Sequence, residues 1–226
     1  MNAPLAVEAS DLERTYASGR TTVAALAGVT LGIRRGEFVA VMGPSGSGKS
    51  TLLNVVAGLE RPTAGTVRVD GEDLAKLDEE ALARHRNRRV GMVFQSFNLL
   101  PRFSVVDNVA LPLAFSGVPA AERARRARAM LERLGMSARA DHRSNELSGG
   151  ELQRAAVARA LIGDPAILLA DEPTGNLDSA NGAALIGLFE ELHAQGQTVL
   201  LVTHDAQIAS HAERTIHMRD GRVVDA

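Results

Sequence analysis

A nine-residue segment rich in glycine has the composition and spacing of a phosphate-binding loop. It lies between the apolar run 38–42 and the apolar-periodic segment 52–57, and it matches the pattern G-x-x-x-x-G-K-[ST]. Glycine permits positive φ, so successive backbone N–H groups can converge on one anion, and the start of the following helix adds partial positive charge. The residues of this loop are Gly43, Pro44, Ser45, Gly46, Ser47, Gly48, Lys49, Ser50 and Thr51.

This P-loop predicts the binding of a nucleoside triphosphate. Lys49 is placed to reach the β- and γ-phosphates, and the Ser50 hydroxyl is placed to ligate Mg²⁺. A glycine-rich turn that matches by chance is the alternative, and the predicted strand before it and helix after it argue against that. The motif alone does not distinguish among the many enzymes that share it.

Two adjacent acids, Asp171 and Glu172, end the apolar strand 167–170. The strand direction is expected to bring Asp171 to the P-loop edge of the sheet, where it can hold Mg²⁺ directly or through water. The turn at Pro173 frees Glu172 to face the γ-phosphate, where a carboxylate can orient and deprotonate the attacking water.

Two polar residues follow other buried strands. Gln95 ends strand 90–94, where ligands bind in open α/β sheets, and its carbonyl could contact Mg²⁺ or the attacking water. The alternative is that Gln95 is simply a polar residue at the point where the strand ends. His204 ends strand 198–203 and could donate a hydrogen bond to developing charge. The alternative is that His204 merely flanks the next helix and has no role in a site, since Asp205 can cap that helix.

A second candidate phosphate site begins at Ser148. With Glu151 three residues later, Ser148 fits a capping box at a helix N-terminus. Capping does not explain Gly149 and Gly150, because each glycine in a helix costs about 1 kcal/mol relative to alanine. Bare N–H groups at a helix N-terminus can bind phosphate. One P-loop and two phosphate-binding helix ends in one chain suggest that two chains face each other.

Two further positions are candidates for nucleotide contacts. Tyr16, the only tyrosine, precedes the P-loop strand and could stack on an adenine ring. An ordinary half-buried tyrosine is the equal alternative. Asp178 ends the turn 174–178 and leads into a helix.

The composition indicates one large domain or one domain with two lobes, with 226 residues of which 45% are hydrophobic. A net charge of −2 gives no electrostatic argument for nucleic acid, and the arginines within 84–89 are interpreted as a solvated face. The absence of cysteine excludes disulfides and thiolate metal sites. Residues 1–10 lack signal-peptide features, and no run approaches the ~18 apolar residues of a membrane span, so we expect membrane contact only through a partner.

The segments between the motifs give two expectations for local structure. Residues 74–87 are predicted to be helical, and Pro112 and Pro119 are expected to interrupt the helical stretch 104–140.

Taken in order, these motifs resemble the ATP-binding subunit of ABC transporters over nearly the whole chain. The resemblance assigns an aromatic loop at Tyr16, Walker A at Gly43–Thr51, a Q-loop at Gln95, a signature at Leu147–Arg154, Walker B at Ile167–Asp171 with Glu172, a D-loop at Asn176–Asp178 and a switch histidine at His204.

The resemblance implies an α/β P-loop NTPase fold with a RecA-like core, an antiparallel β lobe and a helical lobe. It implies a single ABC ATP-binding domain over 5–226, with its core at about 5–95 and 164–226 and its helical lobe at about 96–163. The cofactors implied are ATP and Mg²⁺. Two ATP molecules would lie between the subunits of a homodimer, each held by one P-loop and by Ser148, Gly149 and Gly150 of the other subunit.

A finer resemblance, carried by 94–101, 107–109 and 171–178, is to the lipoprotein-releasing and macrolide-exporting ATPases. It implies a permease with few membrane spans and a large extracytoplasmic domain, with the chain on the cytoplasmic face of the inner membrane. The signature carries Glu151-Leu152 where glutamine followed by arginine or glutamine is frequent, which leaves the phosphate contacts of the signature untouched.

Two rival functions have similar motifs. One is an ATPase that signals to a membrane-bound cell-wall hydrolase without transport. The other is a DNA-repair ATPase, which is disfavoured because residues 52–146 contain no sustained heptads.

Overall fold

The computed structural model describes residues 4–19 and 21–225, so the predicted domain end at Ala226 lies outside the described residues. Strands and helices alternate along the described part of the chain. The strands are β1 (Leu5–Ser18), β2 (Thr21–Arg34), β3 (Phe38–Met42), β4 (Ala64–Val69), β5 (Glu72–Asp73), β6 (Val90–Phe94), β7 (Ile167–Asp171), β8 (Val199–Val202), β9 (Arg214–Arg219) and β10 (Arg222–Asp225). The helices are α1 (Lys49–Val56), α2 (Glu79–Arg89), α3 (Val105–Phe115), α4 (Ala120–Arg133), α5 (Gly149–Leu161), α6 (Ser179–Ala194) and α7 (Ala206–Ala209).

The larger sheet has six strands in the order β10-β9-β3-β8-β7-β6. All neighbours from β9 to β6 are parallel, and β10 closes the edge as an antiparallel hairpin with β9. The central strands are buried on both faces, which explains why their sequences are continuous apolar runs. Because β3, β7 and β8 run in one direction, the residues that follow them meet at one edge.

The smaller sheet is antiparallel, with the order β2-β1-β4-β5. Helix α1 lies between the two sheets, and four of its apolar residues are buried there: Leu52, Leu53, Val55 and Val56. A helix that is apolar around most of its circumference requires such burial on several sides. The start of α1 is therefore held from both sheets.

A second core covers the opposite face of the larger sheet, under α3, α4, α5 and α6. Strand β7 supplies both cores alternately: Ile167 and Leu169 face the α1 side, and Leu168 and Ala170 face the helical side. Ala127, Leu131 and Leu134 of this helical region are buried in that core.

Asn108 of α3 is fully buried and organises the loop before that helix. Its Oδ1 accepts from the Leu100 amide at 2.7 Å, and its Nδ2 donates to the carbonyls of Leu100 at 3.1 Å and Ser104 at 3.0 Å. This satisfied side chain holds Leu100 and Phe103 at the surface, where they are 40% and 44% exposed.

Two local predictions are wrong in detail. Residues 74–87 do not form one helix: a 3-10 turn at Leu74–Lys76 is followed by α2, which starts after Asp78 because the Asp78 carboxylate caps it, accepting from the Ala81 amide at 2.7 Å. Pro112 does not end α3, because it lies in the last turn, where losing one N–H removes a single helical hydrogen bond. Pro119 does mark a boundary, as the N-cap of α4.

Across residues 4–19 and 21–225, no helix is both long enough and apolar enough to cross a lipid bilayer.

The contact between β6 and α5 gives a stability prediction. A Cβ atom on Gly91 would lie 2.6 Å from the carbonyl oxygen of Ala160, so Gly91→Ala should destabilise the fold by about 1–3 kcal/mol. Gly187 in α6 has nothing within 4 Å of such an atom, so Gly187→Ala should stabilise by about 0.5–1 kcal/mol. Urea unfolding followed by circular dichroism measures both, and equal stabilities for the two variants would contradict the packing described.

Candidate functional site

The P-loop packs too closely against neighbouring backbone to carry side chains at two of its glycines. A Cβ atom on Gly43 would overlap the carbonyl oxygen of Met218, and one on Gly48 would overlap that of Ala25. Gly46 at the centre of the loop has open space instead. The loop is therefore fixed against β9 and β2, and its centre remains open to a ligand.

The N-terminus of α1 has no side-chain cap and no acid in its first turn. Lys49 is only 8% exposed, and its Nζ donates to the carbonyls of Gly43 at 2.8 Å and Pro44 at 3.0 Å. One of its three protons remains for a ligand. Uncapped N–H groups beside an ammonium form an anion site. Five other helices begin instead with a capping side chain, from Asp78, Ser104, Ser148, Asp178 and Asp205.

Asp171 ends β7 beside the P-loop, where its Oδ1 accepts a hydrogen bond from the Ser50 hydroxyl at 3.2 Å. Burial raises the pKa of Asp171 from its ordinary value, and the neighbouring Glu172 carboxylate raises it further, against the opposing effects of Ser50 and Lys49. A partly buried carboxylate that faces a hydroxyl is suited to a cation. The structure thus brings together Ser50 and Asp171, two of the three residues that the sequence predicts to contact Mg²⁺.

The described residues contain no cluster of three or more His, Asp or Glu side chains that could hold a metal. Mg²⁺ is commonly held by one or two oxygen-bearing side chains together with substrate phosphates and water. Ser50 and Asp171 therefore fit a magnesium site that is completed by a bound nucleotide.

Glu172 has a left-handed backbone, with a φ of 44°, and its amide donates to the carbonyl of Val202 at 3.0 Å. Such a conformation is strained for glutamate and persists where surrounding contacts enforce it, often at active sites. The Glu172 carboxylate contacts Nδ1 of His204 at 2.9 and 3.0 Å. The Glu172 side chain is 21% exposed and that of His204 is 74% exposed, so the pair lies at the surface.

These elements enclose one pocket of about 650 Å³, within the size range of small-molecule sites. Its lining joins the P-loop to the candidate base and histidine: Ala25, Ser45, Gly46, Gly48, Lys49, Ser50, Thr51, Glu172 and His204.

Tyr16 and Gln95 do not line this pocket. The Tyr16 hydroxyl donates to the Glu60 carboxylate, and the guanidinium of Arg14 lies 4.6 Å from the centre of the Tyr16 ring. The amide of Gln95 lies against Gly175, so close that a Cβ atom there would be 2.7 Å from Nε2.

The signature residues also lie outside the pocket lining. The capping box is present: the Ser148 amide donates to the Glu151 carboxylate at 2.8 Å, and Ser148 Oγ accepts from the Glu151 amide. A Cβ atom on Gly150 would overlap the Asn181 side chain, whereas one on Gly149 would make only an ordinary 3.5 Å contact. Packing within the chain therefore explains Gly150 and leaves Gly149 unexplained.

Asp178 caps α6 rather than reaching the pocket. Its Oδ1 accepts from the Asn181 amide at 2.8 Å, and this backbone hydrogen bond is the main cause of its lowered pKa.

Arg159 is a structural residue that sequence reasoning missed. Its guanidinium donates to the carbonyls of Phe97, at 2.8 Å, and Asn98, which both have left-handed backbones just after Gln95. Burial lowers the pKa of Arg159, because its partners are carbonyls rather than a carboxylate. The signal in the sequence was an arginine within the otherwise apolar segment 155–161.

Comparison with known proteins decides the family. The family model described as ABC transporter matches residues 26–175, which include the P-loop, the signature and the acidic pair. The chain belongs to the ABC transporter family.

Two relatives and one solved structure define the likeness. A macrolide export ATP-binding/permease protein, MacB, of Rhodospirillum rubrum is 51% identical over 98% of this chain, and this chain spans 34% of that protein. An uncharacterized ABC transporter ATP-binding protein of Thermotoga maritima is 48% identical, over 96% of this chain and 93% of its own length. The dimeric post-hydrolysis structure of the ATP-binding cassette MJ0796, bound to ADP and Pi, has a TM-score of 0.89 at 42% identity, with 97% of both chains covered.

The predicted fold class and family are thereby confirmed: the chain has the fold of an ABC ATPase, binds ATP and hydrolyses it. The finer resemblance to macrolide-exporting ATPases is supported by the MacB relative.

Removing the pocket ammonium should weaken ATP binding by this ABC ATPase. Loss of a charged hydrogen-bond donor costs about 1.5–3 kcal/mol, so Lys49→Ala should raise the Kd for ATP by about 10- to 150-fold. Lys76, the only other lysine, is 77% exposed and pairs with Asp73, so Lys76→Ala should leave the Kd unchanged. Isothermal titration calorimetry distinguishes the two, and an unchanged Kd in the Lys49 variant would contradict the site.

Proposed function

We propose that this ABC ATPase is the motor subunit of an export or extraction system, in which two copies close around two ATP molecules and drive a partner permease. The observation that carries the proposal is the division of the site. One chain lines a single pocket with the P-loop, including Ser50, and the candidate base Glu172, holds Asp171 in hydrogen-bond contact with Ser50, and keeps the signature outside that pocket.

The residues in and around the pocket have separate roles in this proposal. P-loop N–H groups and Lys49 hold the β- and γ-phosphates, and Ser50 and Asp171 hold Mg²⁺, with Gln95 approaching that site on closure. Mg²⁺ would neutralise charge on those phosphates. Tyr16 stacks on the adenine ring.

Glu172 acts as the general base. Its carboxylate takes a proton from water as the water oxygen bonds to the γ-phosphorus, and the bond from that phosphorus to the β–γ bridging oxygen breaks. His204, already in contact with Glu172, orients the carboxylate and contacts the γ-phosphate, together with Gln95.

The signature completes the site of a second chain. Gly149 exposes backbone at the N-terminus of α5 for which intrachain packing gives no reason, and Ser148 adds a hydroxyl. The related cassette MJ0796 is dimeric in a structure that holds ADP and Pi. Asp178, at the start of α6, lies in the loop that we place at the same interface.

A groove beside the Gln95 loop is suited to the permease. It measures about 870 Å³, and its lining includes Leu59 and Phe115, which are 50% and 76% exposed, together with Asn98 and Arg159. Arg159 joins α5, the helix that begins at the signature, to the loop after Gln95. A permease segment bound in this groove would therefore contact both that loop and α5.

We assign the groove to an amphipathic cytoplasmic segment of a permease. The MacB relative is a combined ATP-binding/permease protein of which this chain spans 34%. By that likeness we propose a permease with few spans and a large extracytoplasmic domain, and a peripheral location on the cytoplasmic face of the inner membrane.

The role of Glu172 gives a kinetic prediction. Glu172→Gln removes the base without changing the side-chain shape, so turnover should fall by about 10²- to 10⁴-fold while ATP affinity is retained. Glu190→Gln is a matched control, because Glu190 contacts His211 at 2.8 Å in the same kind of pair. A phosphate-release assay measures both, and near-normal turnover in the Glu172 variant would remove it from this role.

The groove gives a binding prediction. Tagged wild-type chain, purified from gently solubilised membranes, should retain a permease with few spans and a large outer domain, identified by mass spectrometry. Phe115→Glu should reduce its recovery, and Val224→Glu on β10, where Val224 is 62% exposed, should not. Recovery of a cell-wall hydrolase complex would favour the signalling rival. Intact ATPase activity with no membrane protein recovered would contradict the transport assignment.

A further inference from the structure

The carboxylate of Glu151 is shared between the signature and a residue outside it. Its Oε1 accepts from Nε of Arg139 at 2.7 Å, and its Oε2 accepts from the amide and hydroxyl of Ser148 at 2.8 and 2.9 Å. Arg139 belongs to the 3-10 turn Ser137–Arg139, which precedes α5 in the chain. The Glu151 side chain is 18% exposed and that of Arg139 is 44% exposed, so the carboxylate is sheltered while the guanidinium is partly open to solvent.

A carboxylate at this position is unfavourable for the proposed function. Glu151 lies in the first turn of α5, beside the N–H groups that would receive the triphosphate held by the other chain. Its negative charge would repel that anion and would oppose the attraction of the helix N-terminus. Arg139 supplies the opposite charge within hydrogen-bond distance of Glu151.

The Ser148 hydroxyl adds a second requirement. It has one proton, which it donates to Glu151 in the isolated chain. When Ser148 donates that proton to a phosphate, Glu151 keeps only the Ser148 amide and Arg139 as partners. Arg139 then holds the carboxylate in its capping position.

We propose that Arg139 is a positioning residue of the two-chain site: it neutralises Glu151 and holds it on the Ser148 backbone, so that the α5 N-terminus can accept the triphosphate bound by the other copy. This inference rests on the proposed two-chain function. Glu151 is charged at neutral pH, as glutamate ordinarily is, and hydrogen bonds from Arg139 and Ser148 lower its pKa further, to about 2.

The test is a double-mutant cycle with Arg139→Gln, Glu151→Gln and both together. Three quantities are measured for each: the chain concentration that gives half-maximal ATPase rate per chain, the Kd for ATP at low chain concentration, and the melting temperature. We expect Arg139→Gln to raise the half-maximal concentration by at least about fivefold without changing the Kd, because only the contact between chains is affected.

Glu151→Gln in the same chain should restore the half-maximal concentration to within about twofold of wild type, since it removes the uncompensated charge. The defect of Arg139→Gln should also shrink at high salt. Arg128→Gln is the matched control: Arg128 pairs with Asp141 at 2.6 Å on the surface and should have no effect. If Arg139 served only to tether the 3-10 turn, adding Glu151→Gln to Arg139→Gln would not restore the half-maximal chain concentration.

The outcomes separate the two hypotheses. If the wild-type rate per chain rises with chain concentration but the double variant is as impaired as Arg139→Gln, or if Arg139→Gln is normal, the role of Arg139 is wrong. If the wild-type rate per chain is independent of concentration and the active species is a monomer, the two-chain function fails and this inference fails with it.

Discussion

The uncapped N-terminus of α1 is the constraint on which the rest of this structure depends. Its free N–H groups have no cap from a side chain, so the fold must hold them open for an anion rather than satisfy them internally. Two sheets achieve this by burying Leu52, Leu53, Val55 and Val56 from opposite sides. This packing prevents the helix from shifting to find other partners for its N–H groups. The ammonium of Lys49, the first residue of the helix, is held in place by two backbone carbonyls.

The parallel sheet then determines what else can reach a bound phosphate. Strands β3, β7 and β8 end at the same edge, so Asp171 contacts Ser50 and Glu172 contacts His204 although each pair is distant in the chain. The helical core on the other face carries α5 and keeps the signature out of the same pocket. This separation of two phosphate-binding ends is what makes a second chain necessary in our account.

Most of the pocket was predictable because it consists of the P-loop motif and of residues that follow apolar strands of one parallel sheet. The Ser50–Asp171 contact spans 121 positions, yet the rule that parallel strands end at one edge was enough to anticipate it. Contacts outside that rule were not predictable. The bond from Tyr16 to Glu60 and the clamp by Arg159 depend on how separate elements pack, and no local pattern records that packing. The position of Pro112 inside α3 was missed because its effect depends on how near the helix end it lies.

The claim that each nucleotide site is shared between two chains can be tested most directly by cross-linking. The sequence contains no cysteine, so Ser45→Cys and Ser148→Cys together would introduce the only thiols. Ser45 lines the pocket and Ser148 begins the signature helix. We expect a short thiol-specific cross-linker to yield covalent dimers when ATP is present and few when nucleotide is absent. A cross-link formed within one chain, with the mass of the monomer, would contradict it.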